Sequence, residues 1–532
     1  MNPNDPSIPS PVEAASYYYG LPSEPALIAR SSAELWVEPK GPEAYLVPKE
    51  LKPVGPHDLD RMWEPIVASA IEAYLGSQDV AWTSLDPARI GYAGGDAFPV
   101  IIWIGVVPGS LSGTKGVVVA LGCRAILTEN GVLDVHVEIR SSKTTLQAKL
   151  YKPVRTINPT VRTIEPFATT LGLPICGADT RHFEGTGGLF FVDSKSPGKL
   201  FLLTARHVLF HPDFTPNNDH APRFTSEATK KVLLLGDAAL EARIKDIESE
   251  IGGKHILLKQ LEARKLEAGG QDDDEEAQAE RTDVERQEED ARKAIVALNE
   301  LLSNITRDWG SLADRMIGHV VRSPPLAFSV GPDQHTEDWA VVEIDRSRVD
   351  KDNFVGNCID LGTSIAVEEF TSWMYPRPAN PTSFKYPGNR LLKFIGTIPD
   401  GQMGKPDNKT LDHDNDPVIM VIKRGGASGL TVGRLNSIRS VLRYYLKGQP
   451  GQSSREVAVY PHNCKSGPFS EAGDSGSVVI DGTGRRIAGI LTGAAGATKS
   501  SDCTYVTSIH FLVKRLQECG YEPNIFPTAG DL

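Results

Sequence analysis

Three short segments of the sequence carry side chains that could act together on an acyl group. Residues 204–207 (Thr-Ala-Arg-His) end an apolar run, Asp338 opens an alternating run, and residues 473–476 (Gly-Asp-Ser-Gly) lead into another apolar run. A serine hydroxyl is a weak nucleophile, so it needs an imidazole to take its proton and a carboxylate to fix the tautomer of that imidazole. We therefore predict that His207, Asp338 and Ser475 form one catalytic set.

The turn around Ser475 is also suited to bind the oxyanion that forms during attack. Glycines on both sides of the serine allow a tight turn and leave backbone N–H groups free to point at that oxygen. We predict that the donors are the amides of Gly473 and Ser475. Loss of one such donor typically costs about 3 kcal/mol of transition-state stabilisation.

Other assignments of the aspartate and the histidine leave weaker patterns. Asp333 lacks a following strand and Asp345 lies at the exit of the strand, so Asp338 fits best. His207 and His211 have the spacing of a metalloprotease pair, but such helices carry Glu directly after the first histidine, and a valine follows here. The pattern predicts neither a metal nor an organic cofactor.

The three segments resemble the motifs of the chymotrypsin/trypsin-like serine peptidases. Residues 204–207 resemble the Thr-Ala-Ala-His segment of that family, residues 338–342 resemble its Asp-Ile-Ala-Leu-Leu segment, and residues 473–476 match its nucleophile motif. The order His, Asp, Ser also fits, whereas subtilisin-like and α/β-hydrolase enzymes use other orders. The α/β-hydrolase motif Gly-x-Ser-x-Gly fails as well, because Ser477 stands at its last position.

The resemblance implies a fold and an activity. It implies a mainly β domain of two six-stranded antiparallel β-barrels over residues 161–235 and 307–525. Residues 185–192 would be the Gly-rich strand before the histidine, residues 429–435 part of the second barrel, and residues 489–493 the substrate-binding edge. The implied activity is that of a serine endopeptidase with a protein or peptide substrate.

Departures from the family pattern bear on specificity and activation. The position six before the serine holds Phe469 rather than an acidic residue, which disfavours cleavage after Lys or Arg. We expect an apolar or shape-limited pocket formed by Phe469, Thr492, Gly493 and Ala494. No activation sequence precedes the first barrel, so Asp474 lacks a new N-terminal amine as a partner.

The N-terminal third has a different character from the predicted peptidase region. Residues 1–57 are rich in Pro and Ser, and we expect a flexible arm. Residues 58–160 begin with a helical pattern and continue with β-like runs at 98–107, 116–127 and 133–139, which predicts a small α+β domain.

Residues 236–306 interrupt the β-rich region with two stretches of apolar residues at helical spacing. A Gly-Gly and Asp-rich break at 268–274 separates them. This pattern predicts an inserted antiparallel hairpin of coiled-coil type, although a long solvated helix or a disordered charged loop is also consistent. An exposed arm of this kind would bind a protein partner or mediate self-association.

Composition limits the classes of protein that the chain can represent. The chain has 532 residues, 40% hydrophobic and 23% charged, with a net charge of −12, which argues against nucleic acid or an anionic membrane as the partner. Between residues 237 and 300 there are 19 acidic and 10 basic residues, so most of that charge belongs to the predicted arm. Without a visible signal peptide or transmembrane run, we expect a cytoplasmic protein.

Six cysteines lie far apart and form no CxxC pair, which predicts no zinc site and no disulfide framework, although a Cys464–Cys503 bridge stays open.

The main alternative function is a catalytically silent protease fold whose coiled-coil arm mediates protein interaction. An esterase with the same three residues is a weaker alternative.

Overall fold

The computed structural model describes residues 6–21, 24–39, 45–142, 148–222, 229–269, 275–375, 384–407, 409–412, 414–446, 450–496, 498 and 500–532. The chain divides into two compact units, residues 1–146 and 147–532. Within the described ranges, no helix is both long and apolar enough to cross a lipid bilayer. All six cysteines are free.

The first unit is built on a five-stranded sheet. Its elements in chain order are α1 Pro11–Ser16, β1 Leu27–Arg30, β2 Lys49–Lys52, α2 Leu59–Met62, α3 Ala68–Ser77, β3 Trp82–Tyr92, β4 Val100–Val106, α4 Gly113–Glu129 and β5 His136–Ser141. The sheet order is β1-β5-β4-β3-β2. Strands β4 and β5 run parallel, and α4 makes the crossover that a parallel pair requires. Between α2 and α3, residues 63–67 form a π-helical turn that contains Pro65.

Two expectations for this unit differ from the structure. The run 116–127 was expected as a strand, but it lies in helix α4, where Ser112 caps the N-terminus and Val119, Ala120, Cys123 and Leu127 bury one face. A stretch of β-branched residues can therefore be helical when one face packs against a sheet. Within the supposedly flexible segment 1–57, β1 and β2 are the two edge strands of the sheet.

The second unit begins with an antiparallel eight-stranded sheet. Its elements up to residue 344 are β6 Pro174–Gly177, β7 Glu184–Thr186, β8 Leu189–Asp193, β9 Leu200–Thr204, α5 Arg206–Leu209, β10 Lys231–Leu234, α6 Asp237–Gly269, α7 Glu275–Trp309, β11 Met316–Arg322, β12 Ala327–Val330, β13 His335–Glu337 and β14 Ala340–Ile344. Strands β12 and β13 pair as a separate ribbon. The other strands belong to the eight-stranded sheet, which the C-terminal strand β25 (Pro523–Asn524) completes in the order β25-β8-β9-β14-β11-β10-β6-β7.

The remaining elements form a second large sheet, a separate antiparallel pair of short strands (358–360 with 391–393) and helices. They are β15 Cys358–Asp360, α8 Val367–Met374, β16 Leu391–Lys393, β17 Gly396–Thr397, α9 Asp400–Met403, β18 Ile419–Gly425, β19 Gly429–Leu435, β20 Ser440–Tyr444, β21 Gln452–Pro461, β22 Val478–Asp481, β23 Arg486–Ala495, β24 Cys503–Ser508 and α10 Ile509–Glu518. Pairings β23-β22-β18-β19-β21-β24-β23 close a ring of six strands. Because the first sheet has eight strands in its hydrogen-bonded order, the expected pair of six-stranded barrels remains a proposal.

Helices α6 and α7 lie between β10 and β11 and pack along each other. The Arg264–Glu280 ion pair (2.5 Å) and the Lys265–Glu288 ion pair (3.5 Å) join the end of α6 to the start of α7, so the two helices run in opposite directions. At their other ends, Leu240 and Leu298 belong to the main core of the second unit. Residues 270–274, most of the expected acidic turn, lie outside the described residues. We call α6 and α7 together the helical arm.

Candidate active site

The pairing of β9 with β14 brings the histidine and the aspartate together. Ala340 at the start of β14 faces Thr204 at the end of β9. His207 follows three residues after Thr204 in the short helix α5, and Asp338 precedes Ala340 by two residues. Two distant stretches of sequence therefore meet at one end of the first sheet.

Both oxygens of Asp338 are engaged by His207. The imidazole Nδ1 lies 2.6 Å from Oδ2, and the backbone N–H of His207 donates to Oδ1 at 3.0 Å. Asp338 is buried, while His207 keeps about a quarter of its side chain exposed. Burial lowers the pKa of His207, but the charge of Asp338 and its hydrogen bond raise it by more, so this pKa lies above its usual value. This arrangement holds the imidazole with Nδ1 on the carboxylate and leaves Nε2 for a second partner.

A buried arginine fixes the backbone around this pair. The guanidinium of Arg206 donates from Nη1 to the hydroxyl of Ser323 at 2.8 Å and from Nη2 to the carbonyl of Asn218 at 2.8 Å. The Ser323 hydroxyl in turn donates to the carbonyl of Trp339 at 2.9 Å. Arg206, which directly precedes His207, is thus linked through Ser323 to Trp339, which directly follows Asp338.

The loop that carries Ser475 packs against the end of β9. Gly476 has φ +92°, and a methyl group at its Cα would lie 2.1 Å from the carbonyl oxygen of Thr186 and 2.4 Å from the hydroxyl of Thr204. Only glycine fits this approach. Ser475 itself is half-buried, and its carbonyl accepts a hydrogen bond from the Thr186 amide at 2.7 Å. No hydrogen bond joins the Ser475 hydroxyl to His207 in the described part of the chain, as is common in ligand-free sites.

The two expected oxyanion donors lie in this loop. Among the described residues, neither the Gly473 amide nor the Ser475 amide donates to another protein group. The carbonyl of Gly473 accepts from the Thr186 hydroxyl at 2.9 Å, and Gly473 has φ +107°, which favours glycine. Both amides are therefore free to bind an oxygen.

Asp474 has a buried cation as its partner. The ammonium of Lys423 in β18 lies 3.0 Å from Asp474 Oδ2, and both side chains are fully buried. Asp474 also accepts from the amides of Ala427 and Ser428 at 3.1 Å and from the Ser428 hydroxyl at 2.6 Å. Burial raises the pKa of Asp474, but Lys423 and these donors lower it by more, so the carboxylate has a pKa below its usual value.

A cavity of about 230 Å³ opens beside His207 and Asp338. Its other lining residues, mainly apolar, are His211, Pro212, Leu326, Phe328, Thr336, Tyr444, Leu446 and Thr492. The Phe328 and Tyr444 rings stack with centroids 4.7 Å apart.

The four expected pocket residues lie in different places. Thr492 lines the cavity with His207, and Gly493 and Ala494 follow it on the exposed part of β23. Phe469 differs from the expectation, because its side chain is buried in an apolar cluster with residues from the strands of the second sheet. Its carbonyl accepts a hydrogen bond from the Thr431 hydroxyl at 2.8 Å. Counting back from the serine could not show that this side chain turns into the core.

Sequence reasoning missed two residues that hold the site. Lys423 had a usable signal, since it shares a strand face with the buried Val421, and a lysine at such a position needs a buried carboxylate. Asp474, for which the sequence offered no N-terminal amine, was the carboxylate to pair with this lysine. Thr186 left no signal, because its role depends on two loops that are remote in sequence.

No protein-family model matches the chain, and no curated protein matches it. Thermobifida fusca protease A is 11% identical, with a TM-score of 0.29 over 66% of this chain and 96% of that one. A Nocardiopsis protease is 12% identical, with a TM-score of 0.27 over 68% and 100% of the two chains.

A protease of M. tuberculosis in its active form is also similar, with 12% identity and a TM-score of 0.25 over 71% of this chain and 92% of that one. All three similar structures are proteases. Similarity at this level is too low to carry an argument about activity, which has to come from the residues of this chain.

Proposed function

We propose that this protein is a serine endopeptidase whose catalytic triad is His207, Asp338 and Ser475. The observation that carries the proposal is the 2.6 Å bond between His207 Nδ1 and the buried Asp338, beside which the Ser475 loop packs. A buried carboxylate on Nδ1 and a free Nε2 are what a base for a serine hydroxyl requires.

Each residue would have one task in this reaction. Ser475 Oγ attacks the peptide carbonyl while His207 Nε2 takes its proton, and His207 then returns that proton to the leaving amine. Asp338 stabilises the imidazolium that forms. The amides of Gly473 and Ser475 bind the oxyanion, and water hydrolyses the acyl-enzyme by the same steps.

The oxyanion loop would be formed without cleavage of the chain. Lys423 supplies the cation beside Asp474 from within strand β18, so no new N-terminus is needed for this role. The carboxylate is tied to the loop 427–428 at the same time. We therefore propose an enzyme whose oxyanion loop does not depend on cleavage of the chain.

Substrate preference follows from the cavity beside His207. Its lining by Leu326, Phe328, Tyr444 and Leu446 favours an apolar side chain near the cleaved bond. Among the described lining residues, Lys or Arg would meet no carboxylate other than Asp338, which His207 occupies. The helical arm would provide a surface for a protein partner or for self-association, with no metal or organic cofactor involved.

Digestion of a peptide library tests the proposal directly. The wild-type protein should cleave peptides with apolar residues near the cleaved bond, and the S475A variant should leave the library intact. Absence of cleavage, with intact ester substrates turned over instead, would indicate an esterase. Marked preference for Lys or Arg at the cleaved position would contradict the proposed specificity.

A further inference from the structure

The base of the helical arm is tied to strand β7 of the first sheet. Just before α6, the amide of Gly236 donates to Glu184 Oε1 at 2.5 Å. The first residue of α6, Asp237, pairs with Arg181 at 2.8 Å, just before β7. The arm therefore begins against the strand that ends in Thr186.

A second tie joins α6 to the loop that holds Asp474. Arg243 Nη2, two turns into α6, donates to the carbonyl of Gly426 at 3.4 Å. Gly426 directly precedes Ala427 and Ser428, whose amides donate to Asp474. This side chain thus crosses from the arm to the second sheet.

Thr186, the last residue of β7, connects Gly426 to the loop 473–475 that carries the proposed oxyanion donors. Its hydroxyl accepts from the Gly426 amide at 2.9 Å and donates to the carbonyl of Gly473 at 2.9 Å. Its amide donates to the carbonyl of Ser475 at 2.7 Å. The side chain is fully buried, so water cannot replace these bonds. Thr186 therefore binds the carbonyls of the two residues whose amides are the proposed oxyanion donors, on either side of Asp474.

We propose that the helical arm sets the geometry of the oxyanion hole through a relay of Arg243, Gly426 and Thr186. In this relay Thr186 and Arg243 are positioning residues. A protein that binds the arm would change the geometry of the oxyanion hole through these two residues. The proposal rests on the serine peptidase function proposed above.

The expected changes in kcat follow from the contribution of one oxyanion donor to transition-state stabilisation. Complete loss of one donor lowers kcat about 10²- to 10³-fold, and a misplaced donor costs less. We expect T186V to lower kcat by about tenfold or more and T186S, which keeps the hydroxyl, to stay near the wild type. We expect R243A to lower kcat about threefold to tenfold. KM should stay within about twofold in each case, because substrate contacts are unchanged.

Two further variants make the test specific. R264A removes the same charge from the outer part of the arm, where Arg264 pairs with Glu280, and should leave kcat unchanged. In the double variant T186V/R243A, kcat should match that of T186V alone, since both residues act through Gly426. Equal effects of R243A and R264A, or multiplicative effects in the double variant, would overturn the relay.

Hydrogen exchange separates the relay from the peptidase function. In full-length S475A protein, which needs no activity, the hydrogen-bonded amides of Asp474, Gly476 and Ser477 should exchange faster after R243A or T186V and not after R264A. If exchange is faster in the R243A and T186V variants but Ser475 of the wild-type protein does not react, the result would support the relay and contradict the peptidase function. Unchanged exchange in R243A would contradict the relay whatever the activity.

Discussion

At the scale of single residues, the basicity of His207 is the property on which the chemistry depends. The Asp338 carboxylate outweighs the effect of burial and raises the pKa of the imidazole above its usual value. A general base must be neutral, so activity should rise as the pH increases through this raised pKa. The acid limb of the kcat/KM profile should therefore lie above pH 6.5, the unperturbed value.

The D338N variant should change both the rate and this profile. Without the carboxylate, burial alone acts on the imidazole, so the acid limb should move to lower pH, and kcat should fall about 10⁴-fold. D333N, five residues earlier and exposed, is the matched control and should behave as the wild type. An unchanged acid limb in D338N, measured from kcat/KM against pH, would show that Asp338 does not set the basicity of His207.

The Lys423–Asp474 pair predicts a large loss of stability when one partner is removed. In K423M the carboxylate of Asp474 stays buried without its cation, which typically costs about 3–5 kcal/mol. Denaturant unfolding at pH 8 should show this loss. The double variant K423M/D474N should recover part of it, because no unpaired charge remains buried.

The pH dependence of this loss has a definite sign. In the wild type the lowered pKa of Asp474 contributes stability above the unfolded pKa, and this is lost as the pH falls through the folded pKa. In K423M the carboxylate can take up a proton more readily, so the stability gap to the wild type should narrow from pH 8 to pH 5. A gap that widens toward acid would contradict this account of the pair.

At the scale of elements, the helical arm has an outer part that contacts little but itself. Leu240, Ile247 and Leu298 near the base belong to the main core, whereas Val284 and Leu261 farther out are not among its residues. Replacing residues 252–290 with a short Gly/Ser linker should therefore leave the fold and the base contacts intact.

The shortened protein should unfold at nearly the wild-type denaturant concentration and hydrolyse peptides at the wild-type rate. The matched variant combines the same deletion with R243A, which should lower kcat as R243A does in the full chain. Loss of folding after removal of 252–290 alone would show that the outer arm stabilises the second unit.

The elements also show how much of the fold and of the candidate site could be predicted from the sequence. The residues that meet at the site could be predicted because their order and local patterns are distinctive, and β9 and β14 begin or end beside them. Helix α4 could not be separated from a strand, since its apolar run has β-branched residues and its amphipathic face depends on the sheet below. The relay through Thr186 depends on loops joined in space alone.

At the scale of the molecule, the two units have separate cores. Among the residues that the structure describes, the apolar clusters of the first unit share no member with those of the second. Residues 148–532 should therefore fold alone, unfold in one cooperative transition and retain peptidase activity. The reciprocal fragment 1–142 should fold without activity. An aggregated or inactive 148–532 fragment would show that the first unit is needed for the fold or the chemistry of the second.

Charge is also distributed unevenly over the molecule. The net −9 of residues 237–300 accounts for most of the total of −12, so the acidic character belongs to the arm and the rest of the chain is nearly neutral. Partner binding through the arm should therefore weaken as salt rises, whereas hydrolysis of an uncharged peptide should not.

Covalent labelling by a fluorophosphonate tests the central claim most directly, because the probe reacts with a serine only when a neighbouring base and an oxyanion hole activate it. Mass spectrometry of the labelled wild-type protein should place the adduct on Ser475. Labelling should be absent in S475A, strongly slowed in H207A, and unchanged in S466A, which alters an exposed serine of the same region. No adduct on the wild type, or an adduct that persists in S475A, would contradict the assignment of Ser475 as the nucleophile.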